Sequence, residues 1–151
     1  MTRTLLVMIT AAVAIGCASG APSPVRFDAA HEPCRFCRMV GSNGRFAAQI
    51  VTPRDEPLFF DDIGCLRGYV MGRATWPTGT ATFVVDHALA TWIRSDRAVY
   101  TRNDALETPM GSHLLAHESP ASRDRDPAAR PGTDVPFSQV FAGVVVPGGG
   151  S

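Results

Sequence analysis

The chain has 151 residues, with 14 arginines and no lysine against 14 acidic residues, so its formal charge is zero. That length suits one compact domain or two very small ones, and a hydrophobic share of 45% suits a chain that folds. The missing basic surplus argues against nucleic acid as a main partner, and the missing lysine removes Schiff-base chemistry and the lysine of a phosphate-binding loop.

Met1–Thr4 carries Arg3, Leu5–Ile15 is uncharged and mostly apolar, and Gly16-Cys17 follows. A charged start, an apolar run and small residues make a secretory signal. The run is shorter than the roughly 20 residues that span a bilayer. Ala14-Ile15-Gly16-Cys17 resembles a bacterial lipobox, with Ala14 where leucine is usual. The expectation is a signal peptide over residues 1–16 and acyl chains on Cys17, because several chains anchor where one is marginal. An ordinary signal with a chance cysteine is the alternative. Ala18, not aspartate, follows Cys17, which leans towards the outer membrane. Residues 17–33 are rich in Ala, Pro and Ser and read as a flexible tether.

Arg45–Thr52 has strand-like composition, Pro53–Pro57 is a turn, and Leu58–Phe60 is a second short strand. Asp61-Asp62 offers an N-cap to a helix over Ile63–Met71, where Ile63, Leu66 and Val70 recur at helical spacing. Gly64, Gly68 and Gly72 line another face of that helix, which reads as close packing on a sheet. Thr80–Asp86 is a strand, followed by strands at Thr91–Ile93 and Ala98–Thr101. Thr108–Ser119 starts like a helix, with Thr108 as cap and Pro109 in the first turn. Arg123–Asp134 is charged and Pro-rich and reads as a linker or loop. Phe137–Val146 is a last strand or short helix, and residues 147–151 a disordered tail. The expected fold class is α+β: two small ββα-type units with mostly antiparallel strands, after the signal and tether.

If Cys17 is lipidated, Cys34, Cys37 and Cys65 remain, an odd number in an oxidising compartment, which points to a free or metal-bound thiol. Cys34-Arg35-Phe36-Cys37-Arg38-Met39 places two thiols three residues apart, so a tight turn can bring both to one ion, and Met39 can add a thioether. Thiolate with thioether is a soft set that suits Cu(I). His31, three residues before Cys34, can complete it. A thioredoxin-type redox pair would need a strand before the motif and a helix after it, whereas a Pro-rich tether precedes this one. A c-type haem site would need His in place of Arg38, and a zinc ribbon a second CxxC. A structural Cys34–Cys37 disulfide and a periplasmic thiol-disulfide oxidoreductase remain the competing readings.

The CxxCxM segment resembles that of the NosL family, lipoproteins that assist assembly of nitrous oxide reductase. Phe60-Asp61-Asp62-Ile63-Gly64-Cys65-Leu66 is similar to the family's FDD-I-G block. Phe83–His87 with Thr91–Ile93, then Ala98–Tyr100, then Thr108–Ser112 match further blocks in the same order. The likeness runs from about Cys34 to Ser119. It departs at His117, where an aromatic residue is usual, and beyond Arg123.

This resemblance implies a copper-binding domain over residues 34–146, on a membrane-anchored lipoprotein facing the periplasm. It implies one Cu(I) per chain and no enzymatic turnover. The implied partners are apo nitrous oxide reductase or another copper enzyme, and an ABC-type membrane maturation complex. Cys34, Cys37 and Met39 are the candidate ligands. Met110, in a matched block, and His31 are further candidates. Cys65 reads as a buried packing residue, with a third thiolate as the alternative. Asp61 and Asp62 read as capping carboxylates. His87, His113 and His117 read as structural or exposed. Arg35 and Arg38 either lower the thiol pKa values or are solvated charges.

Overall fold

The computed structural model describes residues 21–40 and 43–149; the signal and Cys17 lie outside the described residues. Two antiparallel sheets carry the fold. The first contains β1 (Ala48–Val51), β2 (Leu58–Phe60), β3 (Ala81–Val85) and β4 (Trp92–Arg94), in the order β2-β1-β3-β4. The second contains β5 (Val99–Arg102), β6 (Leu114–His117) and β7 (Thr133–Val135), in the order β6-β5-β7. Among the described residues three short α-helices, α1 (Ile63–Val70), α2 (Pro120–Arg125) and α3 (Phe137–Val140), and 3-10 turns at Gly44–Phe46 and Ser95–Arg97 complete the fold. Strand–strand–helix thus occurs twice, as β1-β2-α1 and as β5-β6-α2.

Register explains why the central strands are buried on both faces. Ala48 stands opposite Phe60 and Val84, and Ile50 opposite Leu58 and Thr82. Ala48, Ile50, Phe60 and Val84 therefore share one face and join Ile63, Leu66 and Val70 of α1 in the main core. The other face shows Gln49, Phe59 and Phe83. The N-terminal segment covers it. Val25 exchanges two hydrogen bonds with the Gln49 amide, at 2.9 and 3.0 Å. The Phe27 ring stacks on Phe59 at 5.0 Å and meets Trp92 edge-on at 6.5 Å. The stretch expected as a free tether is therefore held against the sheet from Val25 onward, because a buried Gln49 needs both its donor and its acceptor matched.

The sheets are joined where β3 ends. Asp86 bridges to Ala116 of β6. Its carboxylate accepts from the amides of Leu89 (2.8 Å) and Glu118 (2.7 Å) and from the Ser122 hydroxyl (2.8 Å). Tyr100 fills the space between β5 and α3, 6.0 Å from the Phe141 ring, and its hydroxyl donates to the Ser95 carbonyl at 2.7 Å.

Three expectations change in the second half. Thr108–Ser119 does not begin a helix. The Thr108 carbonyl accepts from Gly111, and its hydroxyl accepts from the His113 amide at 3.2 Å. Gly111 (φ 67°) and His113 (φ 60°) are left-handed, which turns the chain into β6. The cap-plus-proline signal of a helix start is genuine one step later, at Ser119-Pro120, where the Ser119 hydroxyl accepts from Ser122. Arg123–Asp134 is not a free linker: it holds the end of α2, a buried Ala129 and the start of β7, and Arg123 pairs with Asp134 at 2.9 Å. Of the expected tail, Pro147 accepts from the Thr82 hydroxyl at 2.9 Å and Gly148 from the Arg94 guanidinium, so these two residues are tied to the first sheet.

Removing the Tyr100 hydroxyl leaves the buried Ser95 carbonyl unmatched. Tyr100→Phe is expected to cost about 1–2 kcal/mol, read as a lower urea midpoint at unchanged slope.

Candidate metal centre

The Cys34–Cys37 segment is a closed loop. Pro33 and Val40 pair across its neck, the Cys34 amide donates to the Met39 carbonyl at 2.8 Å, and the Arg38 amide donates to the Cys34 carbonyl at 3.0 Å. Arg38 is left-handed at φ 68°, the bend that lets four residues reverse direction.

Two contacts dock this loop on the body. The Arg35 amide donates to the Phe59 carbonyl of β2 at 2.7 Å. The Phe36 ring rests on α1 over Gly68, where an added Cβ would meet ring carbons at 2.6 to 2.9 Å. The helix glycines therefore receive loops and not the sheet. Gly64 does the same for the Thr108–His113 turn, where a Cβ would come within 2.9 Å of Ser112. Gly72 differs: it is left-handed at φ 81°, just past the helix end.

Docking brings four side chains together. The donor atoms of Cys34, Cys37, Asp61 and Cys65 all lie within 4.8 Å of one another. They come from three parts of the local fold: the loop supplies two thiols, the residue after β2 supplies Asp61, and the first turn of α1 supplies Cys65. Cys34, Asp61 and Cys65 are buried and Cys37 is half-buried. The three cysteines are free thiols. Cys37 Sγ sits 3.7 Å from both Asp61 oxygens, a distance at which its S–H donates to the carboxylate.

The electrostatics select which thiol ionises. The Cys65 thiol donates to Cys34 sulfur and, against the cost of burial, draws the Cys34 pKa down from 9.0 to about 6, helped by the amides of Cys37, Asp61 and Phe36. Burial pushes Cys37 up. Cys65 rises because its proton is held by Cys34 and because it is buried. One thiolate, backed by two protonated thiols and a carboxylate, is a preformed, electron-rich pocket for a soft cation.

The other candidates are placed less centrally. Met39 is half-exposed and touches the cluster through its carbonyl bond to Cys34. Met110 is also exposed; its amide donates to Asp62 Oδ2 at 3.0 Å, at the start of the helix that carries Cys65. His31 is exposed and its Nδ1 pairs with Asp28 at 2.9 Å, outside the cluster. Asp62 is the N-cap of α1, accepting from Gly64 at 2.6 Å, as its sequence position suggested. Asp61 is not a cap: it faces the thiols. Sequence reading missed this, although the adjacent-carboxylate pattern carried a signal, since one helix start uses only one capping side chain. Cys65 joins the thiols as well as the core.

A model of the NosL family matches residues 24–144. The crystal structure of the copper chaperone NosL from Shewanella denitrificans shares the fold, with a TM-score of 0.58 at 12% identity, covering 78% of this chain and 96% of that one. No curated protein matches the chain.

Two outcomes test the geometry. A folded Cys34 pKa near 6 against 9.0 unfolded means the unfolded chain binds more protons between those values, so stability rises with pH across that window and is lost as pH falls through about 6. Urea unfolding of the reduced metal-free protein at several pH values should show that slope, and Cys34→Ser should flatten it. Gly68→Val should lift Phe36 and its loop, so that a thiol-bridging bis-arsenical reagent labels the cluster more slowly than in the wild type while the far-UV spectrum is unchanged.

Proposed function

The chain belongs to the NosL family, and from that premise we propose that it is a copper chaperone that binds Cu(I) at the Cys34–Cys37–Cys65 cluster and passes it on without turnover. One observation carries this reading: three sulfurs and one carboxylate converge within 4.8 Å, with one thiol already poised to ionise. Soft thiolates favour Cu(I), an ion content with two to four ligands. The solved relative of the same fold is described as a copper chaperone.

In this reading Cys34 and Cys37 are the primary ligands and one Cu(I) binds per chain. Cys65 is the third thiol. Asp61 holds the Cys37 proton until the metal displaces it. The exposed Met39 thioether is the ligand an acceptor meets first, with Met110 and His31 the further candidates. A half-buried Cys37 next to an exposed Met39 lets an incoming ligand bind before the first ones leave. Acyl chains on Cys17 anchor the protein to a membrane on its periplasmic side, with the outer membrane favoured by Ala18. The acceptor is apo nitrous oxide reductase or another copper enzyme, reached through an ABC-type membrane complex. Among the described residues no helix is long and apolar enough to cross a membrane.

The competing thiol-disulfide oxidoreductase draws support from the low Cys34 pKa. Accessibility runs the other way. A redox nucleophile must be both ionised and open to its substrate, yet Cys34 is 2% exposed and the more open Cys37 has its pKa raised.

Anaerobic titration of the reduced protein with Cu(I) against a chromophoric chelator tests the proposal. Uptake should saturate at one copper per chain. Cys34→Ser and Cys37→Ser should each weaken binding by roughly tenfold or more, since loss of mere supporting groups around a metal already costs that much. Oxidation of Cys34 and Cys37 to a disulfide should abolish uptake. Unchanged affinity in the Cys37 variant, or dithiol turnover on a model disulfide, would overturn the chaperone reading.

A further inference from the structure

A second group of metal-ligating side chains shares no residue with the thiols. His87 follows β3, His117 ends β6, and Asp126 closes α2. Their donor atoms lie within 4.8 Å of one another. Asp126 Oδ2 stands 2.6 Å from His87 Nδ1 and 2.9 Å from His117 Nε2, so both rings aim a nitrogen at one oxygen. The other Asp126 oxygen accepts from the Ala128 amide at 2.9 Å. The His117 side chain is fully buried, and His87 keeps 15% of its side-chain surface exposed, which leaves the group open to solvent on one side.

The fold holds these rings in place. The His87 amide donates to the Ala116 carbonyl at 2.9 Å, its ring lies 5.0 Å from Phe46, and the Arg45 guanidinium donates to the carbonyls of His87 and Ala88. His117 is paired in register with Val99. Its Nδ1 is buried with no hydrogen-bond partner. Here only the nitrogen facing Asp126 is engaged.

Among the described residues no arginine pairs with Asp126; the arginine ion pairs are made with Asp96, Asp104, Asp124 and Asp134. The two imidazoles are the side-chain partners of this buried carboxyl group, and all three donor atoms converge on one point.

We propose that His87, His117 and Asp126 form a second metal site, for a borderline divalent ion of the Zn(II) type. Two imidazoles and one carboxylate suit such an ion, as three thiols suit Cu(I). The site stands independently of copper binding at Cys34 and Cys37. Of its residues, His87 lies in a block that carries the family likeness, whereas His117 replaces an aromatic residue and Asp126 lies in the divergent stretch.

The test is a Zn(II) titration of the reduced full-length chain in detergent micelles, followed by proton–nitrogen correlation spectra of the imidazole rings. His87 Nδ1 and His117 Nε2 should take on the shifts of metal-bound nitrogen and saturate at one zinc per chain at this site. His117→Phe and His87→Gln should each weaken that ring-detected binding by roughly tenfold or more. Cys37→Ser should leave it unchanged, which separates this site from the thiols whatever copper does there. His87→Gln, at a partly exposed position, keeps the test open if His117→Phe does not fold. Rings that stay unshifted at saturating zinc overturn the proposal. So does a His87 signal that titrates identically without His117.

Discussion

The buried carboxylate of Asp62 is the joint on which the two halves of the molecule depend. One oxygen accepts from Gly64 and starts α1; the other accepts from Met110 and holds the turn that leads into β6. A carboxylate at zero exposure is costly unless its bonds are made, so helix start and turn are held to each other. The consequences reach the thiols. The same helix start presents Cys65 one turn in, and the preceding residue, Asp61, is left free to face Cys37. The narrow face of Gly64 and Gly68 then receives Ser112 on one side and the Phe36 loop on the other.

The thiol cluster lies at the edge of the main core, where Cys34 and Cys65 pack with Ile63, Leu66 and Phe60. That position explains its electrostatics. Burial raises the cost of any charge, so ionisation is confined to the sulfur with the most donors around it, Cys34. The histidine–aspartate group occupies a different seam, between β3, β6 and α2, and its ligands are harder. One small domain thus carries two donor sets of contrasting chemistry, each assembled where separate elements meet.

The first half was largely legible from local signals. Leu58–Phe60 and the helix from Ile63 follow from short apolar runs, a proline-bounded turn and a capping aspartate, all readable within a few residues. The second half was less so. Thr108-Pro109 and Ser119-Pro120 carry the same cap-plus-proline pattern, and only the second starts a helix. The difference lies in Gly111 and His113, whose left-handed backbones send Leu114–His117 into pairing with Val99–Arg102. That pairing is non-local, and local propensity does not report it. The N-terminal and C-terminal stretches escape local reading for a similar reason: composition marks Val25–Pro33 and Pro147-Gly148 as loose, while Gln49, Thr82 and Arg94 bind them from across the fold.

By itself the sequence determined the donor chemistry, the α+β class with antiparallel strands, and the spacing that puts Cys34 and Cys37 on one turn, because these depend on residue type and on neighbours along the chain. It also carried the ordered blocks by which the NosL family is known. Only the tertiary structure decided that Asp61 and Cys65 complete the thiol cluster, that Met39, Met110 and His31 are exposed, and that His87, His117 and Asp126 converge at all. The contacts Cys37–Asp61 and His87–Asp126 span 24 and 39 residues along the chain. Strand register and loop docking brought them within bonding reach, and neither is encoded in any short stretch of residues.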